Sequence, residues 1–186
     1  MLAEGYASVS SRRVAAEAGV KPALVHYYFH TMDDLFLALH RRRSESRLQL
    51  QERILTSDQP LWGFWDFCRD PQGTALTMEL VALGNHRKVI RAEMTASAAR
   101  FRAEQLKALT KILKGYGVEA DQCPPIVAAI LISSISRFLV LEEEGLELFT
   151  GHAETVAFIE RFIRKLEGER RSASQEVSPT QGYGLE

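Results

Sequence analysis

The length, composition and charge of this chain exclude several classes of protein. With 186 residues, 46% of them hydrophobic, it is long enough to bury a core of its own. Its net charge of -1, with 25% charged residues, excludes a uniformly basic nucleic-acid-binding chain and a disordered acidic one, so any binding to nucleic acid must be local.

Cysteine spacing and apolar run length bear on the compartment. Cys68 and Cys123 lack the spacing of a zinc site or a disulfide framework, so neither is suggested. We expect no metal and no cofactor. The first residues lack the basic start and apolar run of a signal peptide. The longest apolar stretch, Ile126 to Leu141, contains serines and Arg137 and falls short of the roughly 20 residues of a membrane span. We interpret it as a buried helix rather than a membrane segment and expect a cytoplasmic protein without membrane contact.

The apolar pattern predicts an all-α fold, because apolar residues recur at three- and four-residue steps and alternating strand patterns are nearly absent. Breakers and capping residues divide the pattern into helices. The predicted helices cover residues 11–18, 22–29, 32–55, 61–69, 73–83, 86–114, 126–144 and 152–170. We predict a helix-turn-helix head at 1–47, a helical-bundle body for ligand binding and dimerisation at 48–170, and a disordered tail at 171–186.

The first two predicted helices have the sequence signals of a tight helix-turn-helix. Ser10 can cap the first helix, and Gly19 can adopt the left-handed conformation that ends it. Val20 is placed to fill the angle between the helices. Pro22 suits the first turn of the second helix, where its missing N–H costs nothing.

The second helix is predicted to have an apolar face and a hydrogen-bonding face. At 100° per residue, Pro22, Val25 and Phe29 lie on one side. The opposite side carries Ala23, His26, Tyr27 and His30. An outward face with imidazole, phenol and one small residue suits the major groove of DNA, where side chains meet base edges and phosphates.

The run from Ser10 to Leu39 resembles the DNA-binding head of TetR-family transcriptional regulators. It has the capping serine, the Ala18-Gly19-Val20 turn, an aromatic-Phe end to the second helix and a threonine-capped third helix. The resemblance implies an all-helical homodimer that binds double-stranded operator DNA and responds to a small-molecule effector. It also implies contacts near base edges by Arg12, Lys21, Ala23, His26 and Tyr27, and contacts with the DNA backbone by Ser10, Tyr28, His30 and Thr31. Helical geometry places Tyr28 partly inward.

The chain departs from the family pattern in three places. Arg13 stands where the family commonly has an acidic residue, and Met32 replaces an expected lysine, which removes one phosphate anchor. Only Met1 to Glu4 correspond to the family's first helix. We therefore expect a partly open head with reduced affinity for DNA. The explanation that we favour is a native reading frame or protein that begins upstream, and the alternative is an unusually weak head.

Aromatic and sulfur-containing residues of the body predict a mainly apolar effector pocket. The candidate lining residues are Trp62, Trp65, Cys68, Met78, His86, Met94, Phe101 and Phe138. Asn85, His86 and Arg137 are candidate polar contacts. The same side chains can equally fill an ordinary core.

The last two long helices carry more apolar surface than a small body easily buries, which predicts a four-helix interface between two copies. The candidate interface residues are Ile130, Ser134, Phe138, Val156, Ile159, Ile163 and Leu166. The alternative is packing of this seam within one chain.

These patterns predict a transcriptional regulator, most simply a repressor that a small, mainly apolar effector releases from a palindromic operator. The alternative is a helical ligand-binding or scaffold dimer that has lost DNA binding. We do not expect an enzyme, because no Ser/His/Asp, Cys/His, paired-carboxylate or phosphate-loop arrangement stands out.

Overall fold

The computed structural model describes Met1 and residues 4–171, so the predicted tail at 171–186 lies outside the described residues except for Arg171. All regular structure in this part of the chain is helical, which confirms the predicted fold class. A short 3-10 turn at Tyr6–Ser8 precedes the α-helices. The helices are α1 (Ser11–Glu17), α2 (Pro22–Tyr28), α3 (Met32–Leu55), α4 (Pro60–Cys68), α5 (Pro71–His86), α6 (Lys88–Gly115), α7 (Pro125–Leu146) and α8 (His152–Glu167).

The helix boundaries follow the predicted breakers with one exception. Helix α3 begins and ends where the sequence predicts, and proline opens α2, α4, α5 and α7. The expected break at Gly84 is absent, and α5 continues to His86. Gly84 is buried, and its carbonyl accepts a hydrogen bond from Arg91 Nε at 3.1 Å. This packing offsets the weak helix propensity of glycine.

The chain divides into two compact units. The first unit comprises Met1–Glu45 and Ala75–Ala99, and the second comprises Ser46–Thr74 and the chain from Arg100 onward. The predicted head, residues 1–47, falls almost entirely within the first unit. That unit also contains residues 75–99, which the sequence analysis assigned to the body.

The core of the first unit draws on α3, α5 and α6. Its buried residues are Phe36, Leu76, Leu80, Leu83 and Ile90. Met1, Tyr6 and Val9 pack against this cluster, and the Tyr6 N–H donates to Glu79 Oε2 at 2.6 Å. The residues that precede α1 are therefore held against the core by both apolar contact and a hydrogen bond.

The core of the second unit is centred on α4, which buries Trp62, Phe64 and Trp65. The Glu167 carboxylate caps the start of α4, where it accepts from the N–H groups of Leu61 and Trp62 at 2.8 and 3.1 Å. A carboxylate at this position satisfies free N–H groups and complements the helix dipole. The Tyr116 hydroxyl also donates to Glu167 at 2.8 Å, and burial with this bond raises the Tyr116 pKa to about 12.

Helix α7 is buried on one face only. It is the single described helix that is long and apolar enough to cross a membrane by length and composition. Ser133 and Ser136 lie on its buried face, and their hydroxyls donate to the carbonyls of Ala129 and Ile132 at 2.7 and 2.6 Å. The expectation of a buried helix is therefore only half right, because the opposite apolar face is exposed within the described chain.

Candidate nucleic-acid interface

Helix α1 ends in a glycine turn that sets the path to α2. Gly19 has φ of +65°, and its N–H donates to the Ala16 carbonyl at 3.2 Å. The Val20 N–H donates to the Ala15 carbonyl at 2.9 Å. These two bonds form a Schellman motif, which satisfies the carbonyls at the end of α1. A side chain at position 19 would be strained by the positive φ.

The two helices cross closely because the residues at the crossing are small. Ala15 is fully buried and Val25 is 7% exposed, whereas Phe29, at the end of α2, is half-buried. Ser10 caps α1 through a long hydrogen bond of 3.4 Å from the Arg13 N–H to its hydroxyl. Pro22, which was expected inward, is exposed. A two-turn helix touches its unit along a narrow seam, which Val25 and Phe29 already occupy.

All the residues that the sequence predicts to contact DNA are exposed. They are Ser10, Arg12, Lys21, Ala23, His26, Tyr27, Tyr28, His30 and Thr31. The exposed fractions of Tyr27 and Tyr28 are 74% and 67%, and the two rings meet edge to face at 5.3 Å. The expectation that Tyr28 points partly inward is therefore wrong. Only Val25 and Phe29 occupy the narrow seam of α2, so both phenols lie outside it.

The outward face of α2 combines polar groups with a small apolar surface. Val20, Ala23, Leu24 and Tyr27 line a shallow, open depression together with Lys21. Exposed apolar groups of this size can contact the methyl group of thymine. Arg12 and Lys21 make no ion pair with any described carboxylate, so both cations are available to phosphate.

Two departures from the family pattern have structural consequences. Arg13 donates to both carboxylate oxygens of Glu4 at 2.7 and 2.6 Å, and this guanidinium lowers the Glu4 pKa. Met32 packs against the core of the first unit. The bidentate pair of Arg13 and Glu4 could not be predicted from the sequence, because the two residues are nine positions apart and do not share a helix.

Thr31 begins α3 through a reciprocal cap. Its hydroxyl accepts from the Asp34 N–H at 3.1 Å, and the Thr31 N–H donates to Asp34 Oδ2 at 2.8 Å. The hydroxyl also donates to the same carboxylate at 2.8 Å. These bonds lower the Asp34 pKa, and the nearby His30 adds to the effect. Both hydrogen-bonding roles of the Thr31 hydroxyl are thus used within the protein.

Ser11 is a member of this surface that the sequence analysis missed. Its hydroxyl oxygen lies 3.1 Å from Nε2 of His26. Ser11 lies on α1, fifteen residues before His26, so only the crossing of the two helices brings them together. The signal available in the sequence was a second serine directly after the capping residue.

The predicted effector residues do not fall within one compact unit. Met78, His86 and Met94 belong to the first unit, and the others belong to the second. Trp65 and Cys68 are buried in the second core with Phe101 packed against it. Trp62 is buried there too, and its indole N–H donates to the Gly168 carbonyl at 3.1 Å. Phe138 is exposed.

The predicted dimer residues separate into an exposed and an internal group. Ile130, Ser134 and Phe138 lie one turn apart on the exposed face of α7. By contrast, the proposed seam of α8 packs into its own core, which corrects that part of the prediction. Its residues are Val156, Ile159, Ile163 and Leu166. The opposite face of α8 exposes Phe158 and Phe162 instead, at 55% and 53%. The spacing of apolar residues predicts which residues share one face of a helix, but it does not predict what packs against that face.

The described residues contain no group of three or more His, Cys, Asp or Glu side chains that could hold a metal ion. The geometry presents a helix-turn-helix whose second helix faces outward, an arrangement that DNA-binding proteins use. Residues 1–39 match the family model described as bacterial regulatory proteins, tetR family. This match supports a DNA-binding transcriptional regulator whose residues 1–39 are similar to the N-terminal domain of that family, as the resemblance implied. Comparison with curated proteins and with solved structures gave no match.

Proposed function

We propose that the protein is a cytoplasmic repressor that binds a palindromic operator as a homodimer and leaves it when a small effector binds. The observation that carries this proposal is the outward presentation of α2, with its imidazoles and phenols in solvent. The family match supports the DNA-binding part of the proposal.

We assign α2 to the major groove. Ala23, His26 and Tyr27 point away from the buried Val25 and would approach base edges. Arg12 and Lys21 would bind nearby base edges or phosphates. The remaining contacts would be to the DNA backbone, from Ser10, Tyr28, His30 and Thr31. Thr31 would contact phosphate only at the expense of its cap, because both its N–H and its hydroxyl are engaged with Asp34.

The exposed faces of α7 and α8 support a homodimer. Large apolar side chains on these faces are 41–57% exposed. They are Val127, Ile130, Leu131, Phe138, Leu141, Phe158 and Phe162. Large apolar side chains exposed in such numbers are characteristic of subunit interfaces. We call these seven residues the α7/α8 face and propose that it pairs with the same face of a second copy, giving two α2 helices for two half-sites.

We infer that effector binding in the second unit shifts the population of dimer conformations and changes the spacing of the two DNA-reading helices. Helix α3 contributes residues to both units, since the division falls after Glu45 within it. This continuity supports a role for α3 in coupling effector and DNA binding.

The experiment that tests the proposal starts from selection of bound sequences out of a random duplex pool. We expect a two-fold symmetric consensus, bound tightly at physiological salt. Lys21→Ala should weaken binding to all duplexes and reduce the salt dependence of affinity by about one unit of slope. Lys107→Ala, at an exposed position of α6, is the matched control and should leave both unchanged. Failure to select any sequence would leave the scaffold or ligand-binding dimer as the function.

A further inference from the structure

The second unit contains three buried N–H groups that have no acceptor among the described residues. They are Gln51 Nε2, Trp65 Nε1 and Arg102 Nη1. Gln51 is 1% exposed and Trp65 is fully buried. Buried donors are nearly always satisfied in folded proteins because each unmade hydrogen bond is costly. Three such donors within one unit are therefore candidates to bind an acceptor group.

These donors come from three helices that contribute residues to one core cluster. The Gln105 side chain donates to Gln51 Oε1 at 2.8 Å, which joins α6 to α3 in the interior. Arg102 lies one turn before Gln105 on α6. Trp65 lies one turn before Cys68 on α4, and Arg102 is close enough to Cys68 to influence its pKa.

The charge around Cys68 is positive. Burial raises the Cys68 pKa to about 12, so the thiol stays neutral, while Arg137, Arg47 and Arg102 act in the opposite direction. Arg47 is neutralised by Asp70 at 2.6 Å. Arg102 and Arg137 form no ion pair with any carboxylate in the described chain. Arg137 is exposed, so the Arg102 guanidinium, which has one buried nitrogen, is the cation that reaches this interior without a counter-charge among the described residues.

The remaining surroundings are apolar and aromatic. Phe64, Trp65 and Leu109 are fully buried in the same cluster, and Phe101 packs against it. A ligand that satisfied the donors and the charge would have to place its other atoms among these rings and aliphatic chains. Carboxylates accept strong, charge-assisted hydrogen bonds from guanidinium groups.

We propose that the interior of the second unit binds a small organic acid, with its carboxylate toward Arg102, Gln51 and Trp65 and an apolar, ring-containing or aliphatic body in the aromatic cluster. This specifies the effector class of the proposed regulator and rests on that function for its role, but not for the binding itself. It also revises the mainly apolar effector expected from the sequence, because it adds an anionic group.

Calorimetric titration of the full chain, free of DNA, tests this assignment. The probes are benzoate, 4-phenylbutyrate and decanoate, with 4-phenylbutyramide as the uncharged counterpart of the second. We expect at least one acid to bind, and 4-phenylbutyrate to bind at least about tenfold more tightly than its amide. Arg102→Met should abolish that preference, whereas Lys107→Met on the exposed side of α6 should keep it.

A pair of tryptophan variants keeps the test independent of the arginine. Trp65→Phe removes an unpartnered N–H and should weaken acid binding by about fivefold. Trp62→Phe is the matched control, because the Trp62 N–H is already bonded to the Gly168 carbonyl. Helical content, measured by circular dichroism, identifies any variant that does not fold. If either Arg102→Met or Trp65→Phe does not fold, the other of these two variants still tests the proposal.

Three results would overturn the assignment: no binding of any acid at roughly millimolar concentration, equal affinity for the acid and its amide, or an unchanged preference in both folded variants. DNA affinity is measured separately by fluorescence anisotropy with and without 4-phenylbutyrate. Acid binding with no DNA binding would refute the regulator proposal alone, and DNA binding with no acid binding would refute only the ligand assignment.

Discussion

The Ser11 hydroxyl oxygen lies 3.1 Å from Nε2 of His26, and this contact bridges α1 and α2 across the helix-turn-helix angle. It engages one ring nitrogen of an otherwise exposed imidazole. The ring is thereby oriented before DNA arrives, and Nδ1 remains available. Orienting a side chain in advance reduces the entropy lost on binding.

His26→Ala should reduce affinity for the selected operator by about ten- to a hundredfold and relax specificity at one base pair, since a base contact is typically worth about 1–3 kcal/mol. Ser11→Ala should cause a smaller loss, because it releases the ring without removing it. Fluorescence anisotropy with operator and mismatched duplexes measures both effects. His86→Ala, at an exposed histidine of the first unit, is the control. Equal affinities for the two histidine variants would remove His26 from the interface.

Thr31→Ala should lower the free energy of unfolding by about 1 kcal/mol, because it removes the reciprocal cap with Asp34. For a chain of this size the melting temperature should fall by about 2–4 °C. Thr31→Ser should restore most of the loss. Thr56→Ala is the control at the other end of α3, where the hydroxyl only donates to the Glu52 and Arg53 carbonyls. An unchanged melting temperature for Thr31→Ala would show that the cap does not stabilise the helix.

Local signals in the sequence were sufficient for most of the fold. Proline, glycine and capping residues act over a few positions, so α3 and the turn at Gly19 were predicted from neighbouring residues alone. The exposed face of α2 followed in the same way, because Val25 is the residue that anchors it. Pro22 and Tyr28 were placed wrongly since helical periodicity does not give the width of the buried seam.

Contacts between distant residues could not be predicted in this way. The apolar seam at Ile163 has the same spacing whether it meets its own core or a second copy, and only packing decides between them. The buried amide pair of Gln51 and Gln105 is similarly invisible, because polar residues are usually exposed. The effector residues were predicted from their side-chain types alone. Side-chain type carries no information about which compact unit a residue belongs to.

Phe138→Glu should convert the proposed dimer into a monomer, because it removes the most exposed apolar side chain of the α7/α8 face and would bury a charge in the interface. The loss of affinity between subunits should be at least about a hundredfold. Phe158→Glu should act in the same direction. Analytical ultracentrifugation over a range of concentrations measures the equilibrium. Leu106→Glu tests a comparably exposed apolar residue on α6, outside this face, and should leave the dimer intact. A monomeric parent protein, or a dimeric Phe138→Glu variant, would contradict the proposed interface.

His152 joins the end of α7 to the start of α8 and should make stability depend on pH. Its Nε2 lies 2.8 Å from Glu142 Oε2, and its Nδ1 lies 3.0 Å from Glu143 Oε1. Since both ring nitrogens face carboxylates, the protonated ring is favoured. The bond to Glu142, followed by that to Glu143, raises the His152 pKa above its ordinary value of 6.5.

The sign of the effect follows from this raised pKa. The stabilisation is complete below pH 6.5, where the ring is protonated in both the folded and the unfolded chain. It is lost as the pH rises through the higher pKa of the folded state. Burial lowers the pKa of His40 and so gives a contribution of opposite sign, which is lost as the pH falls through 6.5. Comparison of the parent protein with a His152 variant cancels the His40 contribution.

Thermal melts at a series of pH values, followed by circular dichroism, measure this difference. We expect His152→Gln to lower the melting temperature most in mildly acidic solution and progressively less in alkaline solution, because glutamine cannot become a cation. Glu142→Gln should retain the histidine but move the pH range of the transition downward, since it removes the largest cause of the raised pKa. A constant difference between the parent and His152→Gln across the series would mean that His152 joins the helices as a neutral hydrogen-bonding group and not as a charge.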